Sequence, residues 1–360
     1  MKKYLVLFQF GPVQDFIHTA RRTDDYWAGS FLLSYTTAQI VCELKKQKSK
    51  IVFPNPGDNA LVKAVCENDF NNQEALQPSL PNRVAAIIEE EGHSQLKERL
   101  NRIKDDVLKK LVAHFEKVEK SLTGRSLVAK KQVKDLFEFF YAFAEYDEIG
   151  HKYGSILKTV EKNLAARKNI RNFNQLDQYG FKCTQCGVRE PLRNNCSLKY
   201  NSDLHGLKNF WKGLRDRNKY VFRDNERLCS ICAGKRLLRR VCFKGGAIPS
   251  TSTIAVAVWL DQVCSELDRN DVDDFILALK NADLCQQTAP VPGNQGKSPI
   301  FDIEGDCFIA DSYDRFKKDA EQKGFERVKY VFKTKNILAK MLKDLPEPPK
   351  YFTILSLDGD

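Results

Sequence analysis

Two pairs of cysteines have the spacing of a metal site. Cys183 and Cys186 are separated by two residues, and Cys229 and Cys232 repeat that spacing. Two-residue gaps let both thiolates of a pair reach one ion at about 2.3 Å, and two pairs complete a tetrahedral zinc site with no open position for catalysis. Redox activity is the alternative interpretation, but a redox Cys-x-x-Cys motif usually stands alone beside a β-α-β pattern. The spacing therefore predicts a structural zinc site.

The other cysteines show no such spacing. There are eleven cysteines in 360 residues, scattered along a large chain rather than arranged as in a small secreted scaffold. This usage favours reduced thiols and a metal over a disulfide framework. The seven outside the two pairs are predicted to be plain buried thiols: Cys42, Cys66, Cys196, Cys242, Cys264, Cys285 and Cys307.

The positive charge of the chain is concentrated around the cysteine pairs. Between Lys182 and Lys244 there are sixteen Lys or Arg against five Asp or Glu, which equals the net charge of +11 for the whole chain. A solvated surface is one interpretation of this excess. A binding surface for a polyanion is the other.

Aromatic residues alternate with cations in the segment between the two cysteine pairs. Single-stranded nucleic acid is bound by such a mixture, because bases stack on rings and phosphates pair with cations. The alternative is that these rings form the core of the small cysteine module. The candidate nucleic-acid contacts are Lys208, Trp211, Lys212, Arg215, Arg217, Lys219 and Arg223.

A second candidate metal site lies at the end of the printed sequence. Asp358 and Asp360 flank Gly359 directly after the apolar run 351–357, which is predicted to be a strand. Carboxylates placed closely after a strand can hold Mg²⁺, although Asp-Gly after a strand is first of all a turn signal. The five histidines lie apart and form no His-x-x-x-His pair, so histidine-based metal hydrolysis is not indicated.

The elements that must position these residues begin with an α+β pattern. The apolar run 4–10 predicts a strand, followed by a helix over 13–46 that Gly29 interrupts. Short strands are predicted at 51–53 and 83–88, and a long amphipathic helix follows over 96–118. Strand, helix, strand, strand, helix is the opening of a ferredoxin-like unit.

The remaining segments are predicted to be mainly helical. Residues 129–166 are assigned to helix, 252–260 to a strand or the start of a helix, and 271–280 and 315–345 to helices. No stretch approaches the ~18 uninterrupted apolar residues that a bilayer span requires, so we expect no membrane partner and a cytoplasmic location.

Several motifs resemble one protein family. The block from Gly11 to Ile17, GPVQDFI, and the block from Ala20 to Ser34, ARRTDDYWAGSFLLS, are similar to the large subunit of type III-B CRISPR–Cas effector complexes, the Cmr-type member of the Cas-ten family. Further segments agree in order: FPN at 53–55, LPNR at 80–83, the two cysteine pairs, PSTSTIA at 249–255 and LDGD at 357–360.

The resemblance implies a protein with two polymerase- or cyclase-like palms, a zinc module and a helical domain. In that family the paired palms bind ATP and make cyclic oligoadenylate when the complex captures target RNA. Mg²⁺ or Mn²⁺ and ATP would be cofactors only together with the second palm. The implied partners are the other subunits of the complex, guide RNA and target RNA. The family's His-Asp nuclease domain and its Gly-Gly-Asp-Asp segment are not found in these residues.

The expected fold is therefore α+β, a ferredoxin-like palm with a zinc-binding insertion module and helical connecting segments. The expected segments are 1–125, first palm; 126–180, helical connector; 181–246, basic zinc module; 247–349, remainder of the first palm and helical connector; and 350–360, first strand of the second palm. We expect this chain to be inactive alone. The alternatives are a non-catalytic zinc-containing RNA-binding or assembly protein and a self-sufficient nucleotide cyclase.

Overall fold

The protein forms two compact units in the computed structural model. The sheet unit is Met1–Gly245 and the helical unit is Gly246–Asp360. The structure describes residues 1–147, 150, 152–170, 180–193, 204–218, 221–243, 245, 248–284, 298–321 and 324–351. The five-segment division expected from the sequence stays a prediction.

The sheet unit combines one antiparallel sheet with helices. Its elements are β1 (Lys2–Gly11), α1 (Gln14–His18), α2 (Thr23–Lys46), β2 (Lys50–Phe53), α3 (Ala60–Glu67), a 3-10 turn (Gln73–Leu76), β3 (Arg83–Glu90), α4 (His93–Thr123), α5 (Ala129–Leu136), β4 (Glu138–Glu145), α6 (Tyr153–Asn169), α7 (Leu204–Arg217) and α8 (Ser230–Cys242).

The four strands lie in the order β2-β3-β1-β4, all antiparallel. This confirms an α+β fold. The predicted opening of strand, helix, strand, strand and helix is present, with the short helix α3 added between β2 and β3, whereas the strand β4 was not predicted. The run in β1 is apolar at successive positions because both faces are covered. Tyr4, Val6 and Phe8 pack in the large core with α2 and α4. Leu5 and Leu7 face the opposite side, where α6 covers the sheet.

Helix α8 lies at the centre of the larger hydrophobic core of the sheet unit, on the side of the sheet that α2 and α4 cover. It packs against α2, α4 and α5, and its residues 230–238 are all buried. The approach of α8 to α4 requires glycine at one point, since a Cβ on Gly234 would lie 2.2 Å from a ring carbon of Phe115. The cysteine module is thus built into the sheet unit.

Two helix predictions in the sheet unit were wrong in detail. The helix expected over 13–46 breaks between Thr19 and Arg22, and Gly29 lies inside the continuous α2. The helix expected over 129–166 is interrupted by strand β4. Its sequence, EFFYAFAE, is rich in aromatic residues, which pair well across a sheet, so tertiary pairing with β1 overrides local helix periodicity.

The helical unit has its own core. It contains α9 (Thr251–Val263), α10 (Arg269–Asn281), 3-10 turns at Pro299–Asp302 and Gly305–Phe308, α11 (Ser312–Glu321) and α12 (Phe325–Met341). Phe275, Phe308 and Tyr313 are buried in its centre. The segment 252–260 is helical, and the side chain of Ser250 caps α9 by accepting from the amide of Thr253. The predicted strand at 351–357 lies outside the described residues apart from Tyr351.

No helix in the described part of the chain is both long and apolar enough to cross a membrane.

Candidate metal centre and basic helix

The four paired cysteines converge on one point. Cys183 and Cys186 lie in a turn, Cys229 is the N-cap of α8, and Cys232 lies in the first turn of that helix. Their four sulfur atoms all lie within 4.8 Å of one another. The prediction that these cysteines form one cluster is confirmed.

Backbone hydrogen bonds hold the two cysteine turns together. The amide of Gly187 donates to the carbonyl of Cys183 at 2.9 Å, and Gly187 has a φ of +67°, which favours glycine. The amide of Thr184 donates to the carbonyl of Arg227 at 2.9 Å, and the Arg227 amide donates back to the Thr184 hydroxyl at 3.0 Å. These bonds hold the two cysteine turns beside each other.

The cluster fits a tetrahedral thiolate site. A Zn–S distance of about 2.3 Å implies sulfur–sulfur edges of about 3.8 Å. The sulfurs of Cys186 and Cys229 are 3.9 Å apart. Cys183, Cys229 and Cys232 are buried and Cys186 is half-buried, so most of the cluster is shielded from solvent.

The four neighbouring thiols do not ionise equally easily. Hydrogen bonds from the neighbouring cysteine thiols lower the pKa of Cys186 well below its ordinary value, whereas burial raises the pKa of Cys229. Four thiolates so close together repel one another, and a divalent cation removes this conflict. The N-terminus of α8 adds a further preference for thiolate at Cys229 and Cys232.

A buried ionic group lies next to the cysteine cluster. We call it the arginine clamp: Asp25, Gln185, Glu226 and Arg236. The Arg236 guanidinium donates to both carboxylate oxygens of Asp25, at 2.6 and 2.9 Å, and to Glu226 at 3.1 Å. Burial disfavours the charge on Arg236, but its hydrogen bonds to Asp25 raise its pKa above the ordinary value. Asp25 is 0% exposed, so this is an interior ion pair.

The clamp ties the cysteine turns to the loop between α1 and α2. Gln185, which lies between the first two cysteines, donates to the Thr19 carbonyl at 3.1 Å and accepts from Arg236 at 3.1 Å. Lys235 donates to the carbonyls of Phe16 and Thr19, the latter at 2.8 Å. The cysteine turns and the loop between α1 and α2 are therefore parts of one hydrogen-bonded structure.

Sequence reasoning did not find the clamp. Asp25 stands in a polar run, RRTDDY, and nothing in that run marks one of its two aspartates as buried. A usable signal was the position of Arg236, four residues after the ligand Cys232 on the same helix, which places its side chain on the same helix face as the cluster.

Trp211, a candidate nucleic-acid contact, is a core residue in the folded chain. Its ring is 0% exposed and packs at 5.3 Å, centroid to centroid, against Phe222. Its indole N–H donates to the Leu192 carbonyl at 3.1 Å. This geometry favours the alternative interpretation of the aromatic residues, in which they form the module's interior.

The cations of α7 lie on its outer surface. Lys208 and Lys212 are exposed, and Arg215 follows them on the same side of the helix with its guanidinium 3.9 Å from Asp224. Arg217 is exposed on the opposite side of α7, and Arg223 is exposed in the following turn. We call Lys208, Lys212 and Arg215 the basic stripe. Lys219 lies outside the described residues.

The other predicted residues are placed only in part. Cys42 and Cys307 are buried as expected, whereas Cys66 is exposed, which corrects the prediction for that thiol. Cys242 and Cys264 are half-buried. Cys196, Cys285 and the candidate magnesium ligands Asp358 and Asp360 lie outside the described residues.

Comparison with known proteins finds a family match for the first third of the chain. Residues 5–120 match the family described as CRISPR-associated protein Cmr2, N-terminal. The chain is 23% identical to the "CRISPR system Cmr subunit Cmr2" of Pyrococcus furiosus over 426 aligned positions, which cover 99% of this chain and 44% of that protein. The chain thus spans less than half the length of this curated relative.

Two solved structures are also similar. One is described as the type III-B Cmr-beta complex bound to cognate target RNA, with 17% identity, a TM-score of 0.49, and coverage of 79% of this chain and 39% of that one. The other is the apo state of Cmr-beta, with 16% identity, a TM-score of 0.48, and coverage of 81% and 39%. The family match and the curated relative confirm the resemblance inferred from the motifs: residues 5–120 are similar to the N-terminal part of Cmr2.

Proposed function

We propose that this chain supplies the first palm and a zinc module to the large subunit of an RNA-guided type III-B CRISPR complex. The observation that carries the proposal is the Cmr2 N-terminal match over residues 5–120, because those residues contain β1 through most of α4. The antiparallel sheet with its two covering helices is consistent with a palm. In the whole protein, paired palms would bind ATP and make cyclic oligoadenylate.

Zinc has a structural role in this proposal. Cys183, Cys186, Cys229 and Cys232 would hold the ion, and a closed thiolate set supplies folding energy rather than a reactive water. Through Gln185 and Arg236 the cysteine turns contact the loop between α1 and α2 and the start of α2. We propose that the first palm forms one wall of a nucleotide site, with the metal-binding carboxylates of the transfer reaction on the second palm.

The basic stripe and Arg223 would contact RNA or the RNA-bearing complex. Lys208, Lys212 and Arg223 are exposed, Arg215 is half-buried beside Asp224, and the net charge of the whole chain resides in this segment. Contacts of this kind are electrostatic and position a backbone without reading sequence.

Phosphoryl transfer would depend on carboxylates of the second palm. Mg²⁺ or Mn²⁺, when bound, would stabilise the negative charge of the transferring phosphoryl group, and such an ion requires several converging oxygen ligands. Asp358 and Asp360 are the candidates within this sequence. We propose that they act only together with further second-palm carboxylates, so the chain alone makes no adenylate.

Reconstitution tests the proposal. The chain is mixed with the other type III-B subunits, guide RNA, target RNA, ATP and Mg²⁺, with and without a separately expressed second-palm segment. We expect complex assembly in both mixtures and oligoadenylate only in the second. Oligoadenylate from the chain alone, abolished by Asp358→Ala, would instead identify a self-sufficient cyclase. Failure to assemble with the subunits while RNA is still bound would favour a separate RNA-binding protein.

A further inference from the structure

Strand β4 is an open edge of the sheet. It is the last strand in the order β2-β3-β1-β4 and pairs with β1 along one side. Among the described residues, none hydrogen-bonds to the main-chain groups along its outer side. An edge of this kind is a template for another strand unless it is protected.

The other edge strand shows what protection looks like. Strand β2 has four residues, Lys50–Phe53, its register is irregular between Ile51 and Phe53, and Pro54 follows it directly. Short, bulged edges followed by proline resist pairing. Strand β4 has eight residues and keeps an uninterrupted register from Tyr4↔Glu145 to Gly11↔Glu138. The β2 edge of the sheet is therefore protected against pairing with a further strand, whereas the β4 edge has the regular geometry that such pairing needs.

A cleft of about 470 Å³ runs along β4. Helix α4 forms one wall and α6 forms the other. Its lining residues are Lys97, Asn101, Lys104, Phe139, Tyr141, Ala142, Phe143, Asn163 and Arg167. A cleft between an edge strand and a helix is the geometry in which proteins accept an extended peptide as an added strand.

The charge of the cleft selects an acidic occupant. Three cations line it, Lys97 and Lys104 from α4 and Arg167 from α6, and the lining contains no carboxylate. Lys104 lies 3.6 Å from the carboxylate of Asp105, which is outside the lining. Charge complementarity of this kind selects among partners and steers their approach.

The aromatic side chains favour a peptide over a nucleic acid strand. Phe139, Tyr141 and Phe143 are only partly exposed, and their rings already pack against rings of β1 at 5.7, 6.0 and 5.9 Å, centroid to centroid. The Tyr141 hydroxyl also donates to Asn101 at 3.0 Å. Base stacking needs free ring faces, whereas strand addition needs free main-chain groups.

We propose that the β4 edge binds an extended segment of a partner protein as a fifth strand, with acidic side chains of that segment facing Lys97, Lys104 and Arg167. Main-chain hydrogen bonds would supply affinity, and the cations would select the sequence. The inference rests on the sheet edge alone and is independent of the RNA-binding and palm proposals.

The first experiment selects peptides with the full chain. A random dodecapeptide library displayed on phage is panned on the folded protein. Side chains of a strand alternate between two sides, so we expect enriched sequences to carry Asp or Glu at alternate positions that face Lys97 and Lys104, and a further acid at an intervening position that faces Arg167. A library that yields no enriched acidic peptide overturns the proposal.

The second experiment measures the enriched peptide by fluorescence anisotropy. Lys97→Glu combined with Lys104→Glu is expected to weaken binding about tenfold or more, through loss of two favourable charges and gain of two repulsive ones. The matched control is Arg102→Glu combined with Lys109→Glu, which reverses two exposed cations elsewhere on α4 and should change affinity less than about twofold. Equal effects of both pairs would mean that only net charge matters, which contradicts a site at β4.

A change in the peptide itself distinguishes strand addition from binding through side chains alone. The peptide is N-methylated at alternate residues, which removes main-chain donors without touching the protein. We expect methylation on one register to abolish binding and on the other register to leave it unchanged. We also expect the bound peptide to protect amides of residues 138–145 from hydrogen exchange. The proposal is overturned if methylation on either register leaves peptide binding intact and the peptide does not slow amide exchange in residues 138–145. It is also overturned if a U12 RNA competes fully with the peptide and its own binding depends on Lys97 and Lys104.

Discussion

Helices α7 and α8 both belong to the basic cysteine segment, yet they use their cations in opposite ways. On α7, Lys208 and Lys212 face outward. On α8, Lys235 and Arg236 are 1% and 2% exposed and are fully engaged with carbonyls and carboxylates of the sheet unit. Local net charge is therefore a poor measure of surface charge, because part of it stabilises the interior. A test of RNA binding must therefore leave Lys235 and Arg236 unchanged, because reversing either cation would disrupt the interior.

We expect the largest loss of stability when the metal ligands at the start of α8 are removed. Cys183→Ser combined with Cys232→Ser removes ligands on both sides of the cluster, and we expect zinc to fall from one equivalent to less than about half. Structural Zn²⁺ contributes about 10 to 16 kcal/mol in zinc-finger peptides, so the free energy of unfolding should fall by several kcal/mol. Elemental analysis and urea denaturation measure both. Cys66→Ser, at an exposed thiol outside the cluster, is the control; retention of full zinc by the double variant would contradict the site.

The next effect is expected from the arginine clamp. Arg236→Ala leaves the carboxylates of Asp25 and Glu226 buried without their cation, which should lower the free energy of unfolding by about 3 to 5 kcal/mol. Arg217→Ala, at an exposed cation of α7, should change it by less than about 0.5 kcal/mol. Denaturant midpoints measure the difference. Similar losses in both variants would show that the two helices are not used differently.

A smaller loss of stability is expected at low pH, from a histidine packed near the C-terminal end of α8. His114 of α4 packs against Phe243, just after α8, and its Nε2 lies 2.9 Å from the Tyr35 hydroxyl. Burial lowers the pKa of His114 to about 4, below its ordinary 6.5. As pH falls from 6.5 to 4, His114 takes up a proton in the unfolded chain before it does so in the folded chain. The contribution of His114 to the free energy of unfolding is therefore complete above pH 6.5 and is lost progressively between pH 6.5 and 4, by up to about 3 kcal/mol.

The His114 contribution is measured by comparison with a variant. His114→Gln keeps a hydrogen-bonding group but cannot titrate, so subtracting its unfolding free energies removes the acid sensitivity of the thiolates and carboxylates. We expect the difference between the two proteins to change between pH 6.5 and 4 and to be constant above pH 7. A constant difference over the whole range would contradict a buried neutral histidine.

The smallest effect on stability should come from the basic stripe. Lys208→Glu combined with Lys212→Glu should change the unfolding free energy by less than about 1 kcal/mol, since both side chains are exposed. RNA affinity should fall, and the slope of log affinity against log salt should decrease by about 0.7 per lost phosphate contact. Lys158→Glu combined with Lys162→Glu, which reverses two exposed cations of α6, is the matched control. Unchanged RNA binding and complex assembly would mean that the stripe is only solvated.

Part of this molecule was predictable from its sequence because the signals were local. The Cys-x-x-Cys spacing located the cluster, and apolar runs located β1, β3 and α4. The strand β4 was missed because EFFYAFAE satisfies a helical pattern locally, and only pairing with β1, more than 120 residues earlier, makes it a strand. The clamp was missed for the same reason: Asp25 and Arg236 become partners through the fold.

The docking of α8 has a consequence for synthesis on the ribosome. The sheet is complete in sequence once β4 has been made, but the faces of α2 and α4 that pack on α8 have no cover until residues 230–242 emerge. At roughly 5 to 20 residues per second, the intervening stretch of about a hundred residues takes about 5 to 20 seconds. During that interval the nascent chain presents an apolar surface as large as a helix face. Ribosome-associated chaperones should therefore engage this protein between the synthesis of β4 and that of α8.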